Sequence, residues 1–202
     1  MKMTLAERTE KLKQIRDEII ALKDSPLYEY RVSNKYFPVI GEGSHEAKIM
    51  FIGEAPGKNE AMTAKPFCGA SGKILNQLLE SAGIKRADVY VTNIVKDRPP
   101  ENRDPSPSEI AVYAPYLDRQ IDILEPQIIA TLGRFSMKYI MEKFGLAEAL
   151  RSISQNHGQL FAAPTSYGTV KILPLYHPAV AVYDRSKLDE LKADFQKLKE
   201  IS

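Results

Sequence analysis

The sequence contains a single cysteine, Cys68, among its 202 residues. This scarcity excludes an intrachain disulfide framework and an all-cysteine metal site within one chain, so a reducing, cytoplasmic setting fits best. Long hydrophobic runs are also lacking, and the charged segment 1–8 has no apolar core of the signal-peptide kind. We therefore expect neither export nor a membrane span.

The chain also lacks a large net charge of either sign. It has 28 Lys and Arg residues against 26 Asp and Glu residues, a net charge of +2. A strong basic field over the whole chain is excluded, so any nucleic-acid surface must be local. Internal repeats and low-complexity tracts are absent, and the length suits one core. We expect a single domain over residues 1–202, with a helix in residues 1–25 packed on its core.

The order of apolar and turn-forming segments predicts that strands and helices alternate. Strands are predicted over residues 48–51, 89–95, 127–133 and 170–177, with a short additional strand at 37–40. Helices are predicted over residues 4–23, 71–82, from 107 onward, over 134–144 and around 188–198. Residues 58–66 are predicted to form a loop, and 153–165 a hairpin or turn. This alternation predicts an α/β fold with a parallel, twisted sheet covered on both faces.

Polar side chains stand at the carboxyl ends of three predicted strands: Glu54, Asn93 and His177. In a parallel sheet these ends lie along one rim, where ligands bind. Glu54 can act as a general base or position a water, Asn93 can hydrogen-bond an amide-like edge, and His177 can donate to a developing oxyanion. A solvated turn Glu, a turn-capping Asn and a packed His are the structural alternatives. Their convergence on one rim favours the functional interpretation.

Two further segments suit a nucleic-acid ligand. Phe67 lies in the glycine-flexed segment 66–72 before a predicted helix, where it could stack on a planar ring or serve as a buried anchor for the loop. The loop that leaves the Asn93 strand carries Lys96, Arg98 and Arg103 among its prolines, and three positive charges there suit backbone phosphates.

Five motifs together resemble the family 4 uracil-DNA glycosylases of bacteria and archaea, within the wider uracil-DNA glycosylase superfamily. They are GEAPG at 53–57, PFCGASG at 66–72, TNIVK at 92–96, RPPENR at 98–103 and HPA at 177–179. Each motif alone is a weak signal, but the series in this order and spacing is specific.

The resemblance implies a three-layer α/β/α sandwich around a central four-stranded parallel sheet, and hydrolysis of the N-glycosidic bond of uracil in DNA to leave an abasic site. Glu54 would lie beside the attacking water, Phe67 would stack on the flipped uracil, Asn93 would bind its pyrimidine edge, and His177 would stabilise charge on the departing base. Four more residues would complete the substrate pocket: Gly53, Ala55, Gly57 and Ser71.

The DNA-binding residues that we predict alongside this resemblance are Lys96, Arg98, Asn102, Arg103 and Arg185. The residue that wedges into the duplex is expected within 179–186, with Val180, Val182 and Tyr183 as candidates. Phosphate contact in this region is expected from Arg185 or Lys187.

One departure from the resembled family is large. Its members look like iron–sulfur proteins in which four cysteines hold a 4Fe–4S cluster. Here Leu22, Ser25, Asp97 and Tyr113 stand at the matching positions, and none of them is a thiolate ligand. We therefore predict that no cofactor is bound, and that packing by Leu22 and Tyr113 with polar contacts from Asp97 replaces the cluster. Cys68 stands at a position that is usually apolar, so we interpret it as a packing residue.

The leading hypothesis is a monomeric, monofunctional uracil-DNA glycosylase acting on single- or double-stranded DNA. It would not cut the strand, because no lysine is placed as an obvious Schiff-base nucleophile, and the basic loop of the covalently trapping relatives is absent. The alternatives are a glycosylase for hypoxanthine or xanthine and a catalytically weak protein that binds DNA damage. A free-nucleotide enzyme is disfavoured, since Pro56 lacks the N–H that a phosphate-binding loop would use.

Overall fold

The computed structural model describes residues 3–201, so Met1, Lys2 and Ser202 of the expected 1–202 domain lie outside the described residues. Within this range the chain forms one six-stranded sheet in the order β1-β3-β2-β4-β6-β5. The strands are β1 (Glu42–Gly43), β2 (Ile49–Gly53), β3 (Tyr90–Asn93), β4 (Ile128–Leu132), β5 (Phe161–Thr165) and β6 (Gly168–Leu175). The longer helices are α1 (Leu5–Ala21), α4 (Ala70–Ser81), α5 (Pro107–Leu124), α6 (Arg134–Lys143) and α9 (Leu188–Ile201). The shorter ones are α2 (Tyr28–Ser33), α3 (Lys58–Thr63), α7 (Ile153–Asn156) and α8 (Val180–Tyr183).

The four central strands β3, β2, β4 and β6 are parallel, as predicted. Gly53 pairs in register with Asn93, and Leu132 pairs with Leu175, so the strands end along one rim. The residues that directly follow these strands are therefore brought together although they come from both halves of the chain.

The predicted four-stranded sheet is extended by an antiparallel strand at each edge. β1 pairs with β3, and β5 forms a hairpin with β6. The strand predicted at 37–40 does not form. Pro38 has no N–H to donate, and its neighbours make isolated contacts instead: Phe37 N–H donates to Ala61 O and Val39 N–H to Lys96 O.

Helices cover both faces of the sheet. The side chains of β2 point alternately into the two hydrophobic cores that lie between the sheet and these helices. Met50 and Ile52 pack with α1 and α5, whereas Ile49 and Phe51 pack with α4 and α9. This arrangement is the three-layer α/β sandwich that the sequence predicts.

The amino-terminal helix α1 packs on the core through Leu12, Ile15 and Ile19, all of which are buried. Thr4 and Glu7 form a capping box at its start, and Ser106 and Glu109 form another before α5. Among the helices of residues 3–201, none has the length and apolar character to cross a membrane.

Two predicted irregular segments contain helices. Residues 58–63, which were predicted to belong to a loop, form α3. Residues 153–156 form α7, which is followed by a turn at Gly158. Both helices are short, at six and four residues, so hydrophobic periodicity gives little signal for them.

Candidate active site at the strand ends

A cavity of about 300 Å³ opens at the carboxyl ends of the central strands. Its walls come from the loop after β2, the segment before α4, the end of β3, the loop after β3 and the segment after β6. Nine of the residues predicted for substrate or DNA lie in the lining: Glu54, Ala55, Gly57, Phe67, Ser71, Asn93, Asn102, Arg103 and His177.

Gly53 lies directly behind the cavity wall and must be glycine. A Cβ added at this position would lie 2.3 Å from Asn93 Oδ1 and 2.7 Å from Phe67 Cζ. Any side chain would therefore displace both the residue predicted to bind the base and the residue predicted to stack on it.

Phe67 is held in the wall by a strained and clamped loop. Its φ is 49°, in the left-handed region. The Glu60 carboxylate accepts hydrogen bonds from Cys68 N–H at 3.0 Å and Gly69 N–H at 2.8 Å. A Cβ at Gly72 would lie 1.8 Å from Phe67 O, so the following helix approaches the loop closely. Sequence reasoning missed Glu60, because it lies in a polar run that was predicted to be a loop.

Asn93 ends β3 and is 2% exposed. Its carboxamide oxygen is buried and has no hydrogen-bond partner among the described residues. An unpaired buried acceptor is unfavourable unless a ligand supplies a donor. Because Asn93 also lines the cavity, its unused acceptor suits a ligand with an N–H group.

His177 follows β6 and packs against Phe67, with 5.6 Å between ring centroids. Its Nδ1 accepts a hydrogen bond from Ala179 N–H at 3.2 Å, so the neutral ring carries its proton on Nε2. Burial lowers the pKa of His177 to about 4, against the opposing effect of Glu60. The imidazole is thus neutral at pH 7 and can donate a hydrogen bond from Nε2.

Glu54 follows β2 and is partly buried. Burial, assisted by the charge of Asp104, raises its pKa to about 7, while Arg134 acts in the opposite direction. A carboxyl with this pKa can hold a water and accept its proton near neutral pH. Asp104 and Arg134, which also form an ion pair, have no signal in the sequence that connects them with Glu54.

Lys96 is not a DNA contact, and this prediction was wrong. Its side chain is fully buried, and its Nζ donates to oxygens inside the protein, including Asn93 O at 2.7 Å. A lysine in this position cannot reach a phosphate.

The other predicted DNA-binding residues lie at or near the surface. Arg103 lines the cavity and pairs with the Glu109 carboxylate at 2.6 Å, whereas Arg98 is partly buried and donates to Asn102 Oδ1 and to Tyr36 OH. Arg185 is exposed in a 3-10 turn at residues 185–187. Phosphate contact stays a prediction for Arg98, Asn102, Arg103 and Arg185.

Three of the four positions at which the resembled family carries cysteines, Ser25, Asp97 and Tyr113, form a hydrogen-bonded network around the buried Arg31–Asp97 ion pair. Tyr113 OH donates to Asp97 Oδ2 at 2.5 Å, and Ser25 Oγ therefore donates to Tyr113 OH at 2.6 Å. Arg31 pairs with Asp97 at 3.1 Å, and Leu22 packs against the adjoining core. Burial raises the pKa of Asp97, while the Tyr113 hydroxyl and Arg31 oppose that rise.

These residues do not fit an iron–sulfur cluster. They offer hydroxyls, an aliphatic side chain and a carboxylate that is already paired, in place of four thiolates. Across residues 3–201, no group of three or more His, Cys, Asp or Glu side chains is arranged to hold a metal ion.

Comparison with known proteins gives consistent matches. The sequence profile described as "Uracil DNA glycosylase superfamily" matches residues 40–200, which include the whole cavity lining. The chain is 44% identical over 192 residues to a type-4 uracil-DNA glycosylase of Sulfurisphaera tokodaii, covering 95% of this chain and 84% of that protein. It is 38% identical over 192 residues to the type-4 enzyme of Archaeoglobus fulgidus, covering 95% and 94%. The match to the type-4 enzyme of Thermotoga maritima is 36% over 154 residues, covering 76% of each chain.

Proposed function

The chain belongs to the uracil DNA glycosylase superfamily, and from this membership we propose that it removes uracil from DNA by hydrolysing the N-glycosidic bond, leaving an abasic site. The observation that carries the proposal is the unpartnered Asn93 carboxamide oxygen at the floor of a cavity that also contains a neutral imidazole. Target bases reach such pockets by leaving the DNA stack, at a cost of a few kcal/mol that is lowest for a mispaired base.

Asn93 would select uracil by its hydrogen-bonding edge. Its oxygen can accept from uracil N3–H, and its amide nitrogen can donate to uracil O4. Cytosine presents an acceptor at N3 and a donor at N4, which is the opposite pattern. Phe67 supplies the aromatic face on which the extruded ring stacks.

The remaining groups suit the bond-breaking step. When the N-glycosidic bond breaks, its electron pair leaves with the base, and the neutral His177 ring can donate from Nε2 to the developing anion. A water adds to the sugar carbon and gives a proton to the Glu54 carboxylate. None of the residues that line the cavity in the described chain is a lysine, which is consistent with base removal without strand cleavage.

We further propose that the protein works as a cytoplasmic monomer without an iron–sulfur cluster. The Arg31–Asp97–Tyr113–Ser25 network supports the absence of a cluster, because it already connects the segments that carry three of the four positions at which the resembled family has cysteines. Single- and double-stranded DNA are both candidate substrates.

The proposal can be tested with a panel of oligonucleotides that carry uracil, hypoxanthine or xanthine, in single strands and in mismatched duplexes. Alkali treatment after incubation reveals abasic sites. We expect cleavage at uracil, and a loss of about 100-fold or more in Glu54→Ala and His177→Ala proteins. Absence of cleavage with every uracil substrate would contradict the proposal, and cleavage only at hypoxanthine or xanthine would reassign the base. Tight binding to damaged DNA without cleavage would identify a binding protein.

A further inference from the structure

Lys96 is a fully buried lysine surrounded by oxygen atoms. Its Nζ lies 2.6 Å from Gln120 Oε1, 2.7 Å from Thr92 Oγ1, 2.7 Å from Asn93 O and 3.3 Å from Ile40 O. None of these partners is a carboxylate. The ammonium group is therefore compensated by neutral dipoles alone at hydrogen-bonding distance.

Counting donors indicates that this lysine carries its proton. The Thr92 hydroxyl donates to Ile40 O at 2.6 Å, and Gln120 Nε2 donates to the same carbonyl at 3.0 Å. The three atoms closest to Nζ must therefore all accept, and three N–H groups are found only in the ammonium form. Burial lowers the pKa of Lys96 well below its ordinary value, and these three acceptors oppose loss of the proton.

Lys96 contacts the backbone from which the Asn93 side chain extends. Because its carboxamide oxygen has no protein partner, its orientation is set by its backbone and by packing. Lys96 holds the Asn93 carbonyl, and the next peptide is held by Ile94 N–H donating to Gly53 O at 3.0 Å. Losing the lysine would remove the side-chain hydrogen bond to the Asn93 carbonyl, while the backbone bonds from Ile94 N–H to Gly53 O and from Val95 N–H to Glu54 O would remain.

We propose that Lys96 is a positioning residue for base excision. It fixes the Asn93 amide toward the base, and it places a positive charge behind the pocket floor, where the departing base becomes negative. This inference rests on the proposed function and adds a residue that is buried away from both substrate and solvent.

The test compares Lys96→Met with the wild type by three measurements: binding of free uracil by calorimetry, the single-turnover excision rate at saturating enzyme, and the dissociation constant for uracil-containing DNA. Met has a similar length and no donor. We expect the excision rate to fall about 10- to 100-fold and uracil binding to weaken about tenfold, with DNA affinity within about twofold. Tyr113→Phe is the matched control, because it also removes a buried hydrogen bond but does not contact Asn93. It should lower the melting temperature without changing the excision rate or uracil binding.

A folded Lys96→Met protein with wild-type excision and uracil binding would overturn the inference, as would equal losses in Tyr113→Phe. If Lys96→Met does not fold, Thr92→Val decides, since it removes one partner of Lys96 with little change in shape. It should then weaken uracil binding and excision by about threefold to tenfold, and wild-type values would overturn the inference. If the wild-type protein binds uracil but does not excise it, only the proposed function is contradicted. The comparison of uracil binding between wild type and Lys96→Met then still tests the role of Lys96. If the wild type does neither, both proposals fail.

Discussion

Glu54 and His177 face the same cavity with pKa values displaced in opposite directions. Burial and the nearby Asp104 raise the pKa of Glu54 to about 7, while burial lowers that of His177 to about 4. Above pH 7 the cavity therefore contains a carboxylate and a neutral imidazole. Such a separation of pKa values suits the two proposed roles, in which the carboxylate accepts a proton from water and the imidazole donates a hydrogen bond to the base.

The raised pKa of Glu54 predicts the pH dependence of excision. Below pH 7 the carboxyl is protonated and cannot accept a proton, so the single-turnover rate should rise with pH through about 7 and then level off. Glu54→Gln should be slower by about 100-fold or more and should lose this ionisation between about pH 5.5 and pH 8.5. His177 adds no second step in that range, because it stays neutral. Excision rates measured on a uracil oligonucleotide across this pH range check the prediction. If the rate of Glu54→Gln still fell at low pH as in the wild type, the ionisation would belong to another group.

Individual residues differ in how far the sequence predicts their place. Glu54, Asn93 and His177 follow buried strands, so the parallel topology alone brings them to one rim. The sequence predicts Lys96 as a DNA contact because it shares a proline-containing loop with Arg98 and Arg103, where positive charges suit backbone phosphates. Its burial depends on Gln120, which α5 supplies, and no local pattern predicts that contact.

At the scale of elements, one side chain connects three segments. Arg31 in α2 donates to the carbonyls of Ile19 and Ile20 in the last turn of α1, and it pairs with Asp97 in the segment after β3. The polar contact predicted for Asp97 therefore connects three segments through Arg31, and not only the two that were expected to pack together. It anchors the amino-terminal helices and the start of the Pro99-Pro100 loop, whose Pro99 lines the cavity.

Removing this connection should strongly destabilise the protein. In Arg31→Met the Asp97 carboxylate stays buried without its cation, which costs about 3–5 kcal/mol of unfolding free energy. Thermal or urea unfolding measures this change. Arg16→Met is the matched control, because Arg16 pairs with Asp17 at the exposed surface and should change stability by less than about 1 kcal/mol. Similar unfolding energies for the two variants would show that the buried pair is not a structural connection.

Long elements were predicted better than short ones. The apolar runs of β2, β3, β4 and β6 give a clear strand signal, and α1 and α9 have well-spaced apolar residues. β1 has only two residues, and β5 contains Pro164, which suits an edge strand but weakens the pattern. The central strands could therefore be predicted from the sequence, whereas the two edge strands were found only in the structure.

At the scale of the whole molecule, the fold brings most of the predicted site residues to one rim of a nearly neutral protein. The net charge is +2, so DNA must be held by local groups around the cavity mouth. Asn102 and Arg103 lie in the cavity lining, and Tyr183 at the end of α8 is 90% exposed. Among the three candidates for the wedge, we propose Tyr183, because its nearly bare aromatic ring lines a depression together with Asn102 and Ala179, which also line the cavity, and can replace an extruded base in the stack.

Uracil excision without a cluster is tested most directly by measuring uracil release, iron and sulfide on the same preparation, purified both with and without air. We predict full single-turnover release from both preparations without stoichiometric iron or sulfide, since Ser25, Asp97 and Tyr113, at three of the four positions where the resembled family carries cysteines, already form a network with Arg31. Failure of the iron-free protein to release uracil, or a rate that increases in proportion to bound iron, would contradict it.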